Sequence, residues 1–165
     1  PLLWWPKLQD KAIERKIFLF ASAFDDPSFE FLLDQQPVAI KLAYSKRMRM
    51  DWQIECEKRK IECIVSCDVL SDREIWPGCT KLYCIPEYPV RYHIDWEGIF
   101  PRFNGFSSHT LGWSQDYKAV NHGAKIIEKH ITLTHKDVIC PDASFAIPVG
   151  EPLKEWVQLI RKGIE

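Results

Sequence analysis

A chain of 165 residues with 46% hydrophobic residues, seven Trp and nine Phe carries enough apolar material for the core of one domain, and at that length roughly 70% of the unfolded surface is buried on folding. The formal net charge of −1, with basic residues dispersed, excludes the basic face that nucleic-acid binding needs. The longest apolar run falls far short of the roughly 20 residues of a membrane helix, so no membrane span is expected.

Lys46, Arg47 and Arg49 form one local cluster and read as a solvated helix start. No signal-peptide pattern stands at the start. Six cysteines without a CxxC pair point to reduced, buried thiols in a cytoplasmic protein.

Short apolar runs alternate with amphipathic stretches along the chain. In order, the pattern predicts a helix over 7–15, a strand over 17–22, a helix over 27–33, a strand over 38–43 and a helix over 50–59. There follow a strand over 63–66, a short turn near 72–75, a strand over 81–84, a helix over 96–103 and a strand over 105–107. A helix over 112–121, a strand over 125–130 and a last helix over 152–162 complete the series. Asp26 reads as the N-cap of the second helix with Pro27 at its first position, and Gly123 suits the end of the helix before the last strand.

Strict β-α alternation implies right-handed crossovers and a parallel sheet. No GxGxxG or Walker pattern is present, which argues against dinucleotide and P-loop folds. Six βα units suit an α/β fold of the (β/α)8 TIM-barrel type, present as a partial barrel in one incomplete domain over residues 1–165. In such barrels chemistry sits at the C-terminal ends of the strands. The chain opens at Pro1 without Met, on the tail of a helix, and reads as a fragment. Six units cannot close an eight-stranded barrel, so the strands at 17–22 and 125–130 are expected as edges of an open, curved sheet. Such a sheet is expected to be poorly soluble unless a partner supplies the missing edge.

The unusual polar residues fall at predicted strand ends. His109 and His130 lie 21 residues apart, a spacing that fits successive strand ends and lets two imidazoles converge on one divalent metal. Glu128 shares a strand face with His130, with Lys129 opposite, so a carboxylate stands ready to orient a ligand or move a proton. Lys41 shares a face with two alanines. It either points inward to an anionic partner or snorkels to solvent. Ser22, Ser66 and Ser107 each end a strand, where hydroxyls serve either phosphate binding or helix capping.

These segments carry a family resemblance. Gly105-Phe106-Ser107-Ser108-His109-Thr110-Leu111-Gly112 is similar to the G-Y-S-D-H-T-L-G segment of the sialic acid synthase family, the N-acetylneuraminate synthases and their legionaminate and pseudaminate relatives. Ala124 to Leu133 resembles that family's A-x-x-I-E-K-H-F-T-L, and Pro141-Asp142 with Ser144-Phe145 resembles G-P-D-H-x-F-S. Upstream, Ser22-Ala23-Phe24-Asp25 resembles T-P-F-D, Ala39 to Ala43 resembles Y-K-I-A-S, Ile64-Val65-Ser66 resembles I-L-S-T-G-M, and Tyr83-Cys84 with Tyr88-Pro89 resembles H-C-x-x-x-Y-P.

The resemblance implies condensation of phosphoenolpyruvate with an N-acetylated hexosamine of the N-acetylmannosamine type, giving a nine-carbon sialic acid and phosphate. It implies His109 and His130 as ligands of Mn2+ or Mg2+, and Lys41, Ser22, Ser66 and Ser107 as holders of phosphoenolpyruvate. Glu128 becomes a proton-transfer or orienting group, and Tyr88 faces the sugar. A homodimer is implied for the full-length protein. Several positions depart from the family pattern. Ser108 replaces an aspartate, Tyr44 a serine, Lys46 a glutamate, Pro86 an asparagine, Asp68 a glycine, Cys140 a glycine and Ala143 a histidine. The family's first two strands and its antifreeze-like domain have no counterpart in residues 1–165. The charge reversal at Lys46 and the loss of a polar group at Pro86 fall on the sugar side, and the phosphoenolpyruvate and metal side is better kept. The departures favour altered sugar specificity or, alternatively, a non-catalytic barrel that retains phosphoenolpyruvate and metal binding or serves a structural role in surface-polysaccharide synthesis.

Overall fold

The computed structural model describes residues 2–136 and 139–164. The chain divides into two compact units, residues 1–65 with 75–79 and residues 66–74 with 80–165.

The first unit contains α1 (Trp5–Arg15), β1 (Ala21–Ala23), α2 (Asp26–Gln35), β2 (Ala39–Leu42), α3 (Met50–Lys58) and most of β3 (Glu62–Cys67). The strand pairs are parallel. Ser22 lies beside Lys41, and Lys41 beside Ile64. The first strand is shorter than the predicted 17–22 and starts later. Lys16 takes a left-handed conformation, and the Ile17 amide closes α1 by donating to the Ala12 carbonyl. The register begins at Ala21 opposite Ile40, so Ile17, Phe18 and Phe20 precede the pairing and are exposed. Ser22 is therefore mid-strand rather than terminal.

The cap of α2 is Asp25, one residue before the predicted Asp26. The Asp25 carboxylate accepts from the Ser28 amide at 2.8 Å, and the Ser28 hydroxyl accepts from the Asp25 amide at 3.2 Å, a reciprocal box that satisfies two orphan donors. Asp26 serves another task and accepts from the Trp52 indole at 3.0 Å. Arg49 pairs with Asp26 and Asp51 and lies 3.8 Å over the Trp52 ring. The basic cluster before α3 is thus built into the surface rather than freely solvated. Phe29 stacks on Trp52 with centroids 4.6 Å apart, and both rings are buried with Leu32, Leu33, Ile40 and Leu42.

The second unit contains β4 (Thr80–Cys84), β5 (Gly105–Ser108), α4 (Ser114–Asn121), β6 (Ile126–Lys129), β7 (Ile131–Thr132), β8 (Ile147–Pro148) and α5 (Glu151–Ile164). β4, β5 and β6 pair in parallel, with Cys84 beside Ser107 and Ser107 beside Glu128. β5 approaches β6 so closely that a Cβ on Gly105 would stand 2.2 Å from the Ile126 carbonyl oxygen. Only glycine fits there.

The helix predicted over 96–103 does not form. Pro101 has no amide to donate and its ring collides with the preceding turn. The segment instead folds through successive turns that bury Trp96 edge-on against Phe106, with centroids 4.9 Å apart. α4 starts two residues after the predicted 112, because Gly112 adopts φ +63° and breaks away from helical geometry. The predicted strand 125–130 ends at Lys129. The chain then turns into β7, whose parallel pairing with β8 the sequence pattern did not indicate. All six cysteines are reduced thiols, buried except for half-buried Cys140. No helix among the described residues is long and apolar enough to cross a membrane.

Candidate active site

Side-chain alternation on β5 and β6 separates two groups of residues. Ser107 and Glu128 are register partners and share one face. Ser108 and Lys129 are the next partners and share the other. Cys84 extends the first row. The Ser66 hydroxyl donates to the Glu128 carboxylate at 3.4 Å, so two predicted hydroxyl positions, Ser66 and Ser107, flank the predicted carboxylate.

His109 and His130 each follow directly on the end of their strand. Their ring centroids are 5.3 Å apart with the planes at 61°. Each imidazole is anchored through the same atom. His109 Nδ1 lies 3.0 Å from the Ile85 carbonyl oxygen, and a carbonyl only accepts, so Nδ1 carries the proton. His130 Nδ1 lies 3.2 Å from Asp142 Oδ2, which fixes the same tautomer. In its neutral form each ring keeps its Nε2 lone pair, the arrangement found when a histidine binds a metal and its other nitrogen is held by a carbonyl or carboxylate.

Burial lowers the pKa of His109, an effect strengthened by the neighbouring His130 and opposed by the hydrogen bond to Ile85 and by Glu128 and Asp142. His109 is therefore a neutral imidazole near pH 7. Tyr88 and Phe145 wall the pair. The Tyr88 ring lies 4.0 Å from His109 and the Phe145 ring 5.1 Å from His130. Phe145 is buried, and Tyr88 is more than half exposed. Burial also raises the Tyr88 phenol, with Cys84, Asp142 and Glu128 adding to the shift. Among the described residues, no group of three or more His, Cys, Asp or Glu is placed to hold an ion. Two imidazoles are what the described residues offer.

In the first unit, Lys41 is buried and donates to the Leu42 carbonyl at 3.2 Å. The inward orientation, not the snorkelling one, is the one observed. Ser22 is its register partner, so a cation and a hydroxyl share one face of the β1–β2 pair.

A family model described as the NeuB family matches residues 1–164. The chain belongs to the NeuB family. This NeuB-family chain is 27% identical over 180 residues to the pseudaminic acid synthase of Campylobacter jejuni, covering 98% of this chain and 52% of that protein. It is also 27% identical over 176 residues to the N,N'-diacetyllegionaminic acid synthase of Legionella pneumophila, covering 93% of this chain and 49% of that protein. Its structure matches the crystal structure of the Bacillus subtilis spore coat polysaccharide biosynthesis protein SpsE with a TM-score of 0.81 at 25% identity, over 99% of this chain and 51% of SpsE. The NeuB-family chain thus has the fold of a partial TIM-type barrel and spans about half the length of the curated relatives it matches.

Several contributions to the site left little mark in the sequence. Asp142 was visible as part of a motif, but its partnership with His130 depends on β8, whose Ile147 amide donates to the His130 carbonyl at 2.8 Å. Lys129 left a clear signal. Alternation puts it opposite Glu128, and a buried ammonium requires a carboxylate.

Proposed function

We propose that the intact protein is a sialic acid synthase-type transferase, N-acetylneuraminate synthase-like, of the cytoplasm. In this reading it condenses phosphoenolpyruvate with an N-acetylated hexosamine of the N-acetylmannosamine type. C3 of phosphoenolpyruvate bonds to the aldehyde carbon, water adds at C2, and phosphate leaves. The observation that carries this reading is the pair of Nδ1-anchored histidines beside Glu128, in a chain of the NeuB family.

His109 and His130 would hold Mn2+ or Mg2+ through Nε2, leaving other positions to water and substrate, as suits ions that retain part of their hydration. When bound, such an ion supplies Lewis acidity to the sugar aldehyde. Glu128, steadied by Ser66 at Oε2, orients the reacting water or passes a proton between it and the reacting oxygen. Ser66 and Ser107 offer hydroxyls on the same face. In the first unit, Lys41 with Ser22 beside it supplies a cation and a hydroxyl to an acidic substrate group. Tyr88 and Phe145 present an aromatic wall to the sugar. The full-length protein is proposed to act as a homodimer.

Phosphate release from phosphoenolpyruvate by the intact protein, across a panel of N-acetylhexosamines, tests this. Release that depends on the sugar, ceases with EDTA and returns with Mn2+ is expected. Phosphoenolpyruvate binding by calorimetry with no release for any sugar would instead establish the non-catalytic alternative.

A further inference from the structure

Behind the histidines lies a buried polar network that the proposed reaction does not use. Lys129 and Asp116 form an ion pair at 3.5 Å with both side chains 0% exposed. Lys129 Nζ also donates to the Thr110 carbonyl at 2.6 Å and to the Ser108 hydroxyl at 3.0 Å. Ser108 in turn donates to Asp116 at 2.5 Å. The other Asp116 oxygen accepts from the Trp156 indole of α5 at 2.9 Å.

The chain positions give this network its meaning. Ser108 and Thr110 flank His109, and Lys129 lies between Glu128 and His130. One ammonium therefore grips the backbone after His109 and the side chain before it, while its own backbone carries the second histidine. Stability alone is a weak reason to keep a buried ion pair, because two well-packed neutral side chains serve about as well.

We propose that the Lys129–Asp116 pair is a positioning unit for the two-histidine site. It fixes the strand ends so that His109 keeps its Nδ1 bond to Ile85 and the two imidazoles stay side by side. Through Trp156 it links that geometry to the seating of α5. The proposal rests on the two-histidine reading given above.

The test uses the intact protein with the paired variant Lys129→Met/Asp116→Asn. This variant removes both charges and leaves an amide at position 116 that can still serve Trp156 and Ser108. Lys129→Met alone strands a buried carboxylate and lowers the unfolding midpoint; the paired variant recovers most of that loss. Two readouts follow in selectively 15N-histidine-labelled protein. The His109 ring signals report its tautomer without any metal, and titration with Mn2+ alone reports the site. We expect the paired variant to melt near wild type, to show mixed His109 tautomers, and to bind Mn2+ about tenfold or more weakly. A paired variant with wild-type stability, wild-type His109 signals and wild-type Mn2+ affinity overturns the proposal. If wild type takes up no Mn2+, the metal reading fails and the His109 signals alone decide the positioning role. Should the paired variant not fold, Trp156→Phe removes only the indole donor. It is expected to shift the His109 signals in the same direction, and unchanged signals overturn the proposal equally.

Discussion

Gly105→Ala probes the link between fold and site directly. The added Cβ would lie 2.2 Å from the Ile126 carbonyl oxygen and 2.8 Å from the Ile126 Cβ, where real Cβ atoms essentially never come within 3.0 Å. The obstacle is backbone on the next strand, so no rotamer change relieves it. β5 and β6 must separate by about 0.8 Å, the difference between 3.0 and 2.2 Å, which stretches a ladder bond beyond its useful length. Overpacking costs about 1–3 kcal/mol, and each ladder bond lost adds about 1 kcal/mol. Alanine returns about 0.4–1 kcal/mol by restricting the unfolded chain. The net loss is about 1–3.6 kcal/mol, or a fall of roughly 2–14 °C in the unfolding midpoint for a chain of 165 residues. The strand that moves carries His109, and the one it moves from carries His130, so Mn2+ affinity falls together with stability. Thermal unfolding by circular dichroism and Mn2+ titration measure the two effects. A variant melting within about 1 °C of wild type, with unchanged affinity, refutes the reasoning.

Further outcomes are expected elsewhere. Asp142→Asn weakens the hold on the His130 Nδ1 proton and is expected to reduce Mn2+ affinity about 10- to 100-fold, with little change in melting; unchanged calorimetry contradicts it. Because burial depresses the His109 pKa below its ordinary 6.5, the unfolded chain binds more protons in the window just below 6.5. His109 therefore costs no stability above that window and destabilises progressively as the pH falls through it. Urea unfolding across that range should show a shallower acid loss in His109→Gln than in wild type, and parallel profiles would remove this histidine as a source of acid sensitivity. Phe29→Ala opens a cavity under Trp52 and is expected to cost about 3–5 kcal/mol by urea unfolding. A loss below about 1 kcal/mol would mean that the stacked pair is not part of the core.

The parallel βα order and the strand ends bearing His109 and His130 were legible because alternation and spacing are local properties. Where local pattern and backbone chemistry disagreed, backbone chemistry decided. The apolar spacing of 96–103 reads as a helix, yet Pro101 denies it a hydrogen bond and Trp96 gains more by packing on Phe106. Residues 17–20 are as apolar as a strand, but the register with β2 begins only at Ala21. The roles of Asp142 and Phe145 were not legible, because their contacts with the histidines are made by the β7–β8 pairing, a long-range event with no periodic signature. Lys129 is the instructive case. Its face was readable, whereas its partner on α4 depended on how the helix packs.

Whether His109 and His130 offer their Nε2 atoms to one divalent ion is tested most directly by pulsed electron paramagnetic resonance. The sample is the Mn2+-loaded intact protein labelled with 15N-histidine. Coupling to two histidine nitrogens is predicted, falling to one in His109→Gln and in His130→Gln. A Mn2+ signal with no histidine coupling, or with coupling that survives both substitutions, would contradict the two-histidine site.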